Sequence, residues 1–419
     1  MSSNNDFPLS PVPLDNRKGF LGMTSILLGF TLFTATMWAG GKLGASFSFY
    51  ELLSIIAIGN LLLGLYAASL SHIAFKTGLN TVLLSRYCFG DKGSKLVDLI
   101  LGFTQVGWYA WGTATIAIVL VKLLALSPEY TSGLMLLFGF GFCLTAIVGF
   151  KGLEILSKVA VPVMLFFIAL SFYQGLIDLG GVAGLFKLEA ENTLSYSAAI
   201  TIVIGTFISG ATQATNWSRF AKSSSVAITS TLLAFFIGNG LMIFIGAFGS
   251  MVYQQADMVD VLVSQGFLMA AVLMLFANIW TTQDNTIYNF AAAGCHLLRT
   301  NKRTWVILAG AGIGTLLALF GMYEFLIPFL ILLGTFIPPI GAIIIVDFYL
   351  YRCHDKVEFN HYPFVSINYL GVMSYIIGSG VAYLGQWAEP IVGIIVAALA
   401  YYILNLMFKH KVHYQETND

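Results

Sequence analysis

The sequence predicts an all-α integral membrane protein with about twelve transmembrane helices, and three observations support this fold class. Of the 419 residues, 58% are hydrophobic and only 10% are charged, and the mean hydropathy is +0.84, far outside the range of soluble domains. Apolar segments of about 20 residues, the length that crosses a bilayer core, follow one another through almost the whole chain. Lys and Arg collect on alternate loops between these segments, as the positive-inside rule requires.

The basic residues also predict the orientation in the membrane. Arg17 and Lys18 stand before the first span, and most other Lys and Arg residues fall on the same side. Three fall on the opposite side, whose loops are acidic: Lys42, Lys122 and Lys187. We therefore expect residues 1–18 and 409–419 to be cytoplasmic tails of a multi-pass plasma-membrane protein, which in a Gram-negative bacterium means the inner membrane.

Two interrupted spans indicate an internal repeat. The first span reads LLGFTLFTATMWAGG and the sixth reads VIGTFISGATQATNW, so each carries small and polar residues that weaken a helix. Close packing through small residues would explain either stretch alone. However, Gly29 and Gly205 lie about 175 residues apart, at corresponding places in two five-span repeats that are inverted in the membrane. Such paired interruptions indicate a transporter, with its binding site at the broken helices.

The repeat divides the chain into five parts. Between the two tails, we expect a first five-helix repeat over residues 19–176, a second over 195–350, and two additional helices over 365–408. The first and sixth helices are predicted to be discontinuous. The third and eighth spans, which hold equivalent places in the two repeats, carry the polar stretches TQVGWYAWGT and ANIWTTQDNTIYN.

The eighth span presents a neutral polar stripe. Asn278, Thr281, Thr282 and Asn285 recur at helical spacing on one face. Hydroxyls and unwound backbone carbonyls suit a weakly held monovalent cation, although hydrogen bonding between helices would also explain the stripe. Asp284 points away from this face, where it could relay protons or anchor a helix end.

The third span presents an aromatic and amide face. Gln105, Trp108 and Tyr109 share it, so a ring can stack on a flat molecule while an amide reads the edge of that molecule. Phe207 of the sixth span could cover the other side. Two further residues are expected near the edge: Ser209 and Asn278. No Lys or Arg lies near the predicted midplane of these spans, which favours a neutral planar solute, although a helix N-terminus could still bind the carboxylate of an amino acid.

Composition and spacing argue against several other classes of protein. The formal net charge of zero provides no basic field for a nucleic acid polymer. The four cysteines and six histidines show no metal-ligand spacing, and we find no nucleophile and base pair of an enzyme. A channel would need a continuous polar pore, whereas the polar residues cluster at one depth. We expect a transporter, not an enzyme, with no cofactor.

Four motifs carry a family resemblance: PVPLDNRKG, TQVGWYAWG, GTFISGATQATNWSRF and NIWTTQDNTIY. Together they closely resemble the cytosine permeases of the nucleobase-cation-symport-1 family, over essentially the whole chain. The resemblance implies the five-plus-five inverted-repeat fold of the leucine transporter with two extra helices. It also implies alternating access and secondary active import of cytosine by sodium symport, by a protein that works as a monomer in the lipid bilayer.

The resemblance also assigns roles to individual residues. It implies that Trp108 stacks on the substrate, that Phe207 covers its other face, and that the remaining substrate ligands are Gln105, Ser209 and Asn278.

The resemblance further implies a sodium ion bound by the carbonyls of Gly29, Leu32 and Asn278 and the hydroxyls of Thr281 and Thr282. Related hydantoin and purine carriers often have tryptophan where this chain has Phe207, which suits a smaller pyrimidine. Proton coupling, a different nucleobase, hydantoin or allantoin substrate on the same fold, and more remotely amino-acid symport remain alternatives.

Overall fold

The computed structural model describes most of the chain. The described residues are 6–186, 194–352, 358–385 and 387–415, without the side chains of residues 327 and 409–415. Within these ranges the secondary structure is helical, apart from one isolated β-bridge between Lys18 and Ala221. Lys187 and the outer ends of both predicted tails lie outside the described residues.

Twenty α-helices make up the described structure. Those of the first half are α1 (Phe20–Thr31), α2 (Thr34–Ser46), α3 (Phe49–Thr77), α4 (Thr81–Phe89), α5 (Ser94–Leu123), α6 (Tyr130–Gly141), α7 (Cys143–Val148), α8 (Phe150–Asp178) and α9 (Val182–Leu185). Those of the second half are α10 (Tyr196–Thr212), α11 (Thr215–Ser218), α12 (Ser224–Leu232), α13 (Asn239–Tyr253), α14 (Met258–Ser264), α15 (Leu268–Leu297), α16 (Arg303–Leu319), α17 (Leu326–Phe336), α18 (Pro338–Val346), α19 (Tyr369–Gly385) and α20 (Glu389–Gln415).

Most of these helices are apolar enough to cross a membrane. Among the described residues, eight spans are long and apolar enough, and α1 with α2 makes a ninth if the bent pair is one span. Three further predicted spans coincide with α15, α16 and α19. The polar stretch of α15 lowers its mean hydropathy, and the other two helices have 17 residues each.

The first span breaks where its sequence is weakest. Helices α1 and α2 are bent by 58° at Leu32 and Phe33. The Phe33 N–H donates to Thr31 O at 3.0 Å. In a continuous helix this N–H would donate to the carbonyl of Gly29, four residues earlier, so the break frees that carbonyl oxygen.

The sixth span is interrupted later than its glycine suggests. Gly205 lies inside α10, and the chain turns at Gln213, with φ −97° and ψ 9°, before α11 begins. The N–H of Gln213 is shared between the carbonyls of Ser209 and Gly210, at 3.2 and 3.1 Å. Such three-centre bonds are common at helix ends, and α10 and α11 form one span, Tyr196–Ser218, without a bend like that of the first span.

Glycines let the helices near the first break pack closely. A methyl group built on Gly40 of α2 would collide with the backbone carbonyl of Ile243 in α13, and one on Gly246 of α13 would collide with that of Met37 in α2. Membrane helices use small residues in this way to bring backbones together. Helix α2 is therefore held tightly against α13, while α5 and α16 pack around α15.

Candidate binding site

A small cavity lies beside the break between α1 and α2. Its volume is about 10 Å³, enough for about one water molecule. Helices α1, α5, α10 and α15 and the break contribute its lining, which consists of Phe30, Phe33, Gln105, Trp108, Thr206, Phe207, Ser209, Thr282 and Thr286. The cavity therefore brings together five of the residues selected from the sequence, Gln105, Trp108, Phe207, Ser209 and Thr282, and no lining residue is charged.

Aromatic rings form most of the wall. The ring of Phe33 lies 5.8 Å from that of Trp108 and 6.4 Å from that of Phe207, edge-on to both. Trp108 also meets Phe329 of α17, at 5.5 Å. Phe33 therefore contacts both rings that were expected to sandwich a flat solute. Phe33 was not among the residues predicted for the site, although it stands in the interruption of the first span.

Two polar groups of the lining have no partner. Within the described part of the chain, neither the Gln105 amide nor the Ser209 hydroxyl makes a hydrogen bond, although these residues are only 1% and 5% exposed. The three threonines of the lining are bonded; for example, Thr286 donates to Thr282 O at 2.8 Å. Because neither group is bonded to protein, a ligand in the cavity can bond to both without displacing an existing hydrogen bond.

The side chain of Asn278 is engaged at the helix break. Its Oδ1 accepts from the backbone N–H and the hydroxyl of Thr34, at 2.9 and 2.8 Å, and its Nδ2 donates to Leu32 O at 2.7 Å. It is not part of the cavity lining. Asn278 therefore holds the ends of α1 and α2 in place. The stripe indicated a polar partner for this face, but it did not predict that the partner would be the broken backbone.

The five residues selected for the cation lie around the same break. The hydroxyls of Thr281 and Thr282 donate to carbonyls of their own helix, at 2.8 and 3.1 Å, and each keeps oxygen lone pairs free. A methyl group built on Gly29 would lie 3.4 Å from Cβ of Thr281, so α1 passes directly over the stripe. The carbonyl of Leu32 accepts from the amide of Asn278. This oxygen set is neutral, and no group of three or more His, Cys, Asp and Glu residues that could hold a metal occurs in the described residues.

The rest of the polar stretch of α15 lies outside the cavity. Asn285 accepts a hydrogen bond from Trp217 Nε1 at 2.7 Å, and Thr286 lines the cavity at the position where the stripe suggested Asn285. Asp284 is fully buried and points away from the cavity, as the helical spacing predicts. It accepts hydrogen bonds from Thr145 Oγ1 at 3.0 Å and from Asn285 Nδ2 at 3.1 Å.

Comparison with known proteins identifies the family of this chain. Residues 11–406 match the sequence model of a family described as permease for cytosine/purines, uracil, thiamine, allantoin. The chain is 35% identical to the cytosine permease of Escherichia coli strain K12 over 414 residues, which cover 98% of this chain and 97% of the relative.

The fold is similar to that of solved transporters. Mhp1, a nucleobase-cation-symport-1 family transporter in a closed conformation with bromovinylhydantoin bound, matches with a TM-score of 0.81 at 19% identity, over 96% of this chain and 94% of Mhp1. A Na⁺-coupled sialic acid symporter in a substrate-bound outward-open state matches with a TM-score of 0.69 at 12% identity, over 94% and 91% of the two chains.

These findings show that the protein is a multi-pass membrane transporter rather than an enzyme. The chain belongs to the family of permeases for cytosine/purines, uracil, thiamine and allantoin, and its fold is that of the nucleobase-cation-symport-1 transporters. The fold class and the family resemblance inferred from the sequence are thereby confirmed.

Proposed function

We propose that the protein imports cytosine together with sodium by alternating access. One observation gives this proposal its main support. Two unbonded polar groups, the Gln105 amide and the Ser209 hydroxyl, line a cavity that is aromatic and uncharged. A nucleobase is flat, neutral and rich in edge donors and acceptors. Stacking on Trp108 and Phe207 would bind its faces, and the two free groups would bind its edge.

Cytosine fits these groups better than a charged solute. Its edge carries an amino donor beside ring and carbonyl acceptors, and the Gln105 amide can both donate and accept. No lining residue offers a counter-ion to a carboxylate or phosphate. The 35% identity to the Escherichia coli cytosine permease extends over nearly the whole chain and supports the same substrate.

Sodium fits the oxygen set at the break. Neutral carbonyls and hydroxyls suit a monovalent cation that must be released again. Thr282 both lines the cavity and belongs to the proposed cation ligands, and Asn278 joins the ion ligands to the break. Because the two sites share Thr282, sodium would raise the affinity for cytosine and cytosine would raise the affinity for sodium to the same extent. The likeness in fold to a Na⁺-coupled symporter is consistent with this coupling.

Transport requires the cavity to change shape. At about 10 Å³ the cavity holds about one water molecule, so the residues that line it must move apart to admit a nucleobase. We infer that residues 19–176 and 195–350 are inverted repeats that move relative to each other, with residues 365–408 added as two further helices. Both termini would lie in the cytoplasm, and one copy of the chain in the plasma membrane would suffice.

Proton coupling through Asp284 is the second candidate, because Asp284 is a fully buried carboxyl group three residues beyond Thr281. Its partners Thr145 and Asn285 are neutral, so nothing bonded to it requires it to be ionised. This geometry favours an anchoring role between α7 and α15, and the experiment below separates the two possibilities.

Uptake of labelled cytosine into proteoliposomes tests the coupling. An imposed sodium gradient should drive uptake, Thr281→Ala and Thr282→Ala should each abolish the sodium stimulation, and Asp284→Asn should retain it. Thr315→Ala is the matched control, since the Thr315 hydroxyl is also bonded within its own helix but lies outside the cavity. The opposite result would support proton coupling and contradict sodium symport. In that case a proton gradient drives cytosine uptake, a sodium gradient has no effect, and Asp284→Asn abolishes the uptake.

A further inference from the structure

Ser157 of α8 carries a buried hydroxyl that is left without a partner. The side chain is fully buried, and its Oγ makes no hydrogen bond to any residue that the structure describes. Buried helical serines usually donate to the carbonyl four residues earlier, as Ser374 does to Leu370 O at 2.7 Å. An unpaired buried hydroxyl costs free energy, so its retention calls for a partner that binds there.

The hydroxyl of Ser157 lies beside Gly29 of α1, three residues before Leu32 at the break. A methyl group built on Gly29 would lie 2.6 Å from Oγ of Ser157, and the same methyl group would lie 3.4 Å from Cβ of Thr281. Helices α8 and α15 thus both approach the same side of this glycine. Any side chain at Gly29 would fill the space between them.

The oxygens around this point are those that a small hard cation prefers. The carbonyl of Gly29 has lost its helical donor at the break, and the hydroxyl of Thr281 keeps lone pairs free. The unpaired Oγ of Ser157 adds an oxygen from a third helix. We propose that Ser157 is a further ligand of the coupling cation, and this inference rests on the proposed sodium symport.

A cation bound in this way would join three helices rather than two. The two threonines belong to α15 and Gly29 to α1, so Ser157 would extend the ion's contacts to α8. Loss of the ion would release α8 from the break together with α1. Ser157 would therefore contribute to the sodium affinity without touching the substrate.

The test measures sodium dependence in purified variants. Cytosine binding is titrated with sodium at a fixed cytosine concentration, and sodium-dependent thermal stabilisation is measured without cytosine. Ser157→Ala should raise the sodium concentration for half-maximal effect about tenfold in both assays, the loss expected for one bond to a charged group. Ser157→Cys should behave similarly, because it keeps the size of the side chain but offers a soft sulfur in place of a hard oxygen.

The controls separate this inference from the proposed function. Ser374→Ala removes a buried hydroxyl far along the chain in α19 and should leave the sodium dependence unchanged. A wild-type protein indifferent to sodium would overturn the proposed symport itself. A third outcome would overturn only the role of Ser157. In that outcome the wild type depends on sodium and Thr281→Ala loses this dependence, but Ser157→Ala and Ser157→Cys keep the sodium dependence of the wild type.

Discussion

Helix α15 carries two polar regions that differ in how fully they are bonded. At its end, His296 Nδ1 lies 2.8 Å from the carboxylate of Asp98 on α5, and both side chains are fully buried. The guanidinium of Arg299 lies 3.0 Å from His296 Nε2. Because arginine can only donate, Nε2 accepts this bond and the proton on the ring is at Nδ1, donated to Asp98. Both ring nitrogens of His296 are therefore occupied.

Around the middle of the same helix, polar groups keep unused bonding capacity. The hydroxyls of Thr281 and Thr282 have free lone pairs, and across the cavity the Gln105 amide and the Ser209 hydroxyl are unbonded within the described structure. The difference distinguishes two uses of polarity inside a membrane protein. Groups such as His296 and Asp98 bond to protein and hold helices together, whereas the unbonded groups that line the cavity are available to a ligand.

The largest effect is expected when the contact between His296 and Asp98 at the end of α15 is broken. His296→Leu removes the hydrogen bond that the neutral imidazole donates to the buried carboxylate of Asp98, so the free energy of unfolding should fall by about 1.5–3 kcal/mol. The folded fraction of His296→Leu should bind cytosine with the affinity of the wild type. Thermal unfolding and equilibrium binding in detergent measure both quantities, with His361→Leu, at a highly exposed histidine, as the control. Unchanged stability combined with lost binding would contradict the distinction.

A smaller loss, confined to binding, is expected at the aromatic wall. Stacking of a base on an aromatic ring is worth about 1–3 kcal/mol, so Trp108→Ala should weaken cytosine binding by about 5–150-fold. Trp305→Ala, at a tryptophan that is 71% exposed, should have no effect. Full affinity in Trp108→Ala, measured by equilibrium binding of labelled cytosine, would refute stacking.

The smallest effect is expected at the hydroxyl on α10. Ser209→Ala removes one neutral hydrogen bond, worth about 0.5–1.5 kcal/mol, so the dissociation constant for cytosine should rise by about two- to tenfold. Because the hydroxyl is unbonded in the protein, the thermal stability should not fall. A clear loss of stability would show that Ser209 supports the fold instead of binding a ligand.

The sequence was sufficient for what depends on spacing along single helices. Helical periodicity placed Gln105 and Trp108 on one face, and the weak stretch of the first span located its break. The sequence could not predict contacts that depend on how two helices cross. Phe33 reaches the cavity because α1 and α2 bend by 58°, and Ser157 approaches Gly29 because α8 packs on α1.

Asn278 illustrates the same limit. Its place on the stripe was predicted, yet its side chain bonds to the backbone at Leu32 and to Thr34, partners that exist only once the helix has broken. The family motif indicated which oxygens meet there, but the pairing of each oxygen depends on the register between α1 and α15. Helical periodicity alone does not give that register.

The most direct test compares two buried glutamines that differ in whether they face the cavity. The Gln105 amide is unbonded and lines the cavity, whereas Gln283 on α15 lies outside the cavity, where its Nε2 donates to Tyr109 O at 2.6 Å and its buried Oε1 has no partner among the described residues. Equilibrium binding of labelled cytosine to the purified variants should show at least about a tenfold loss of affinity in Gln105→Met and a change within about twofold in Gln283→Met. Wild-type affinity in Gln105→Met, with the loss in Gln283→Met instead, would contradict the claim that the unbonded groups of this cavity bind the nucleobase.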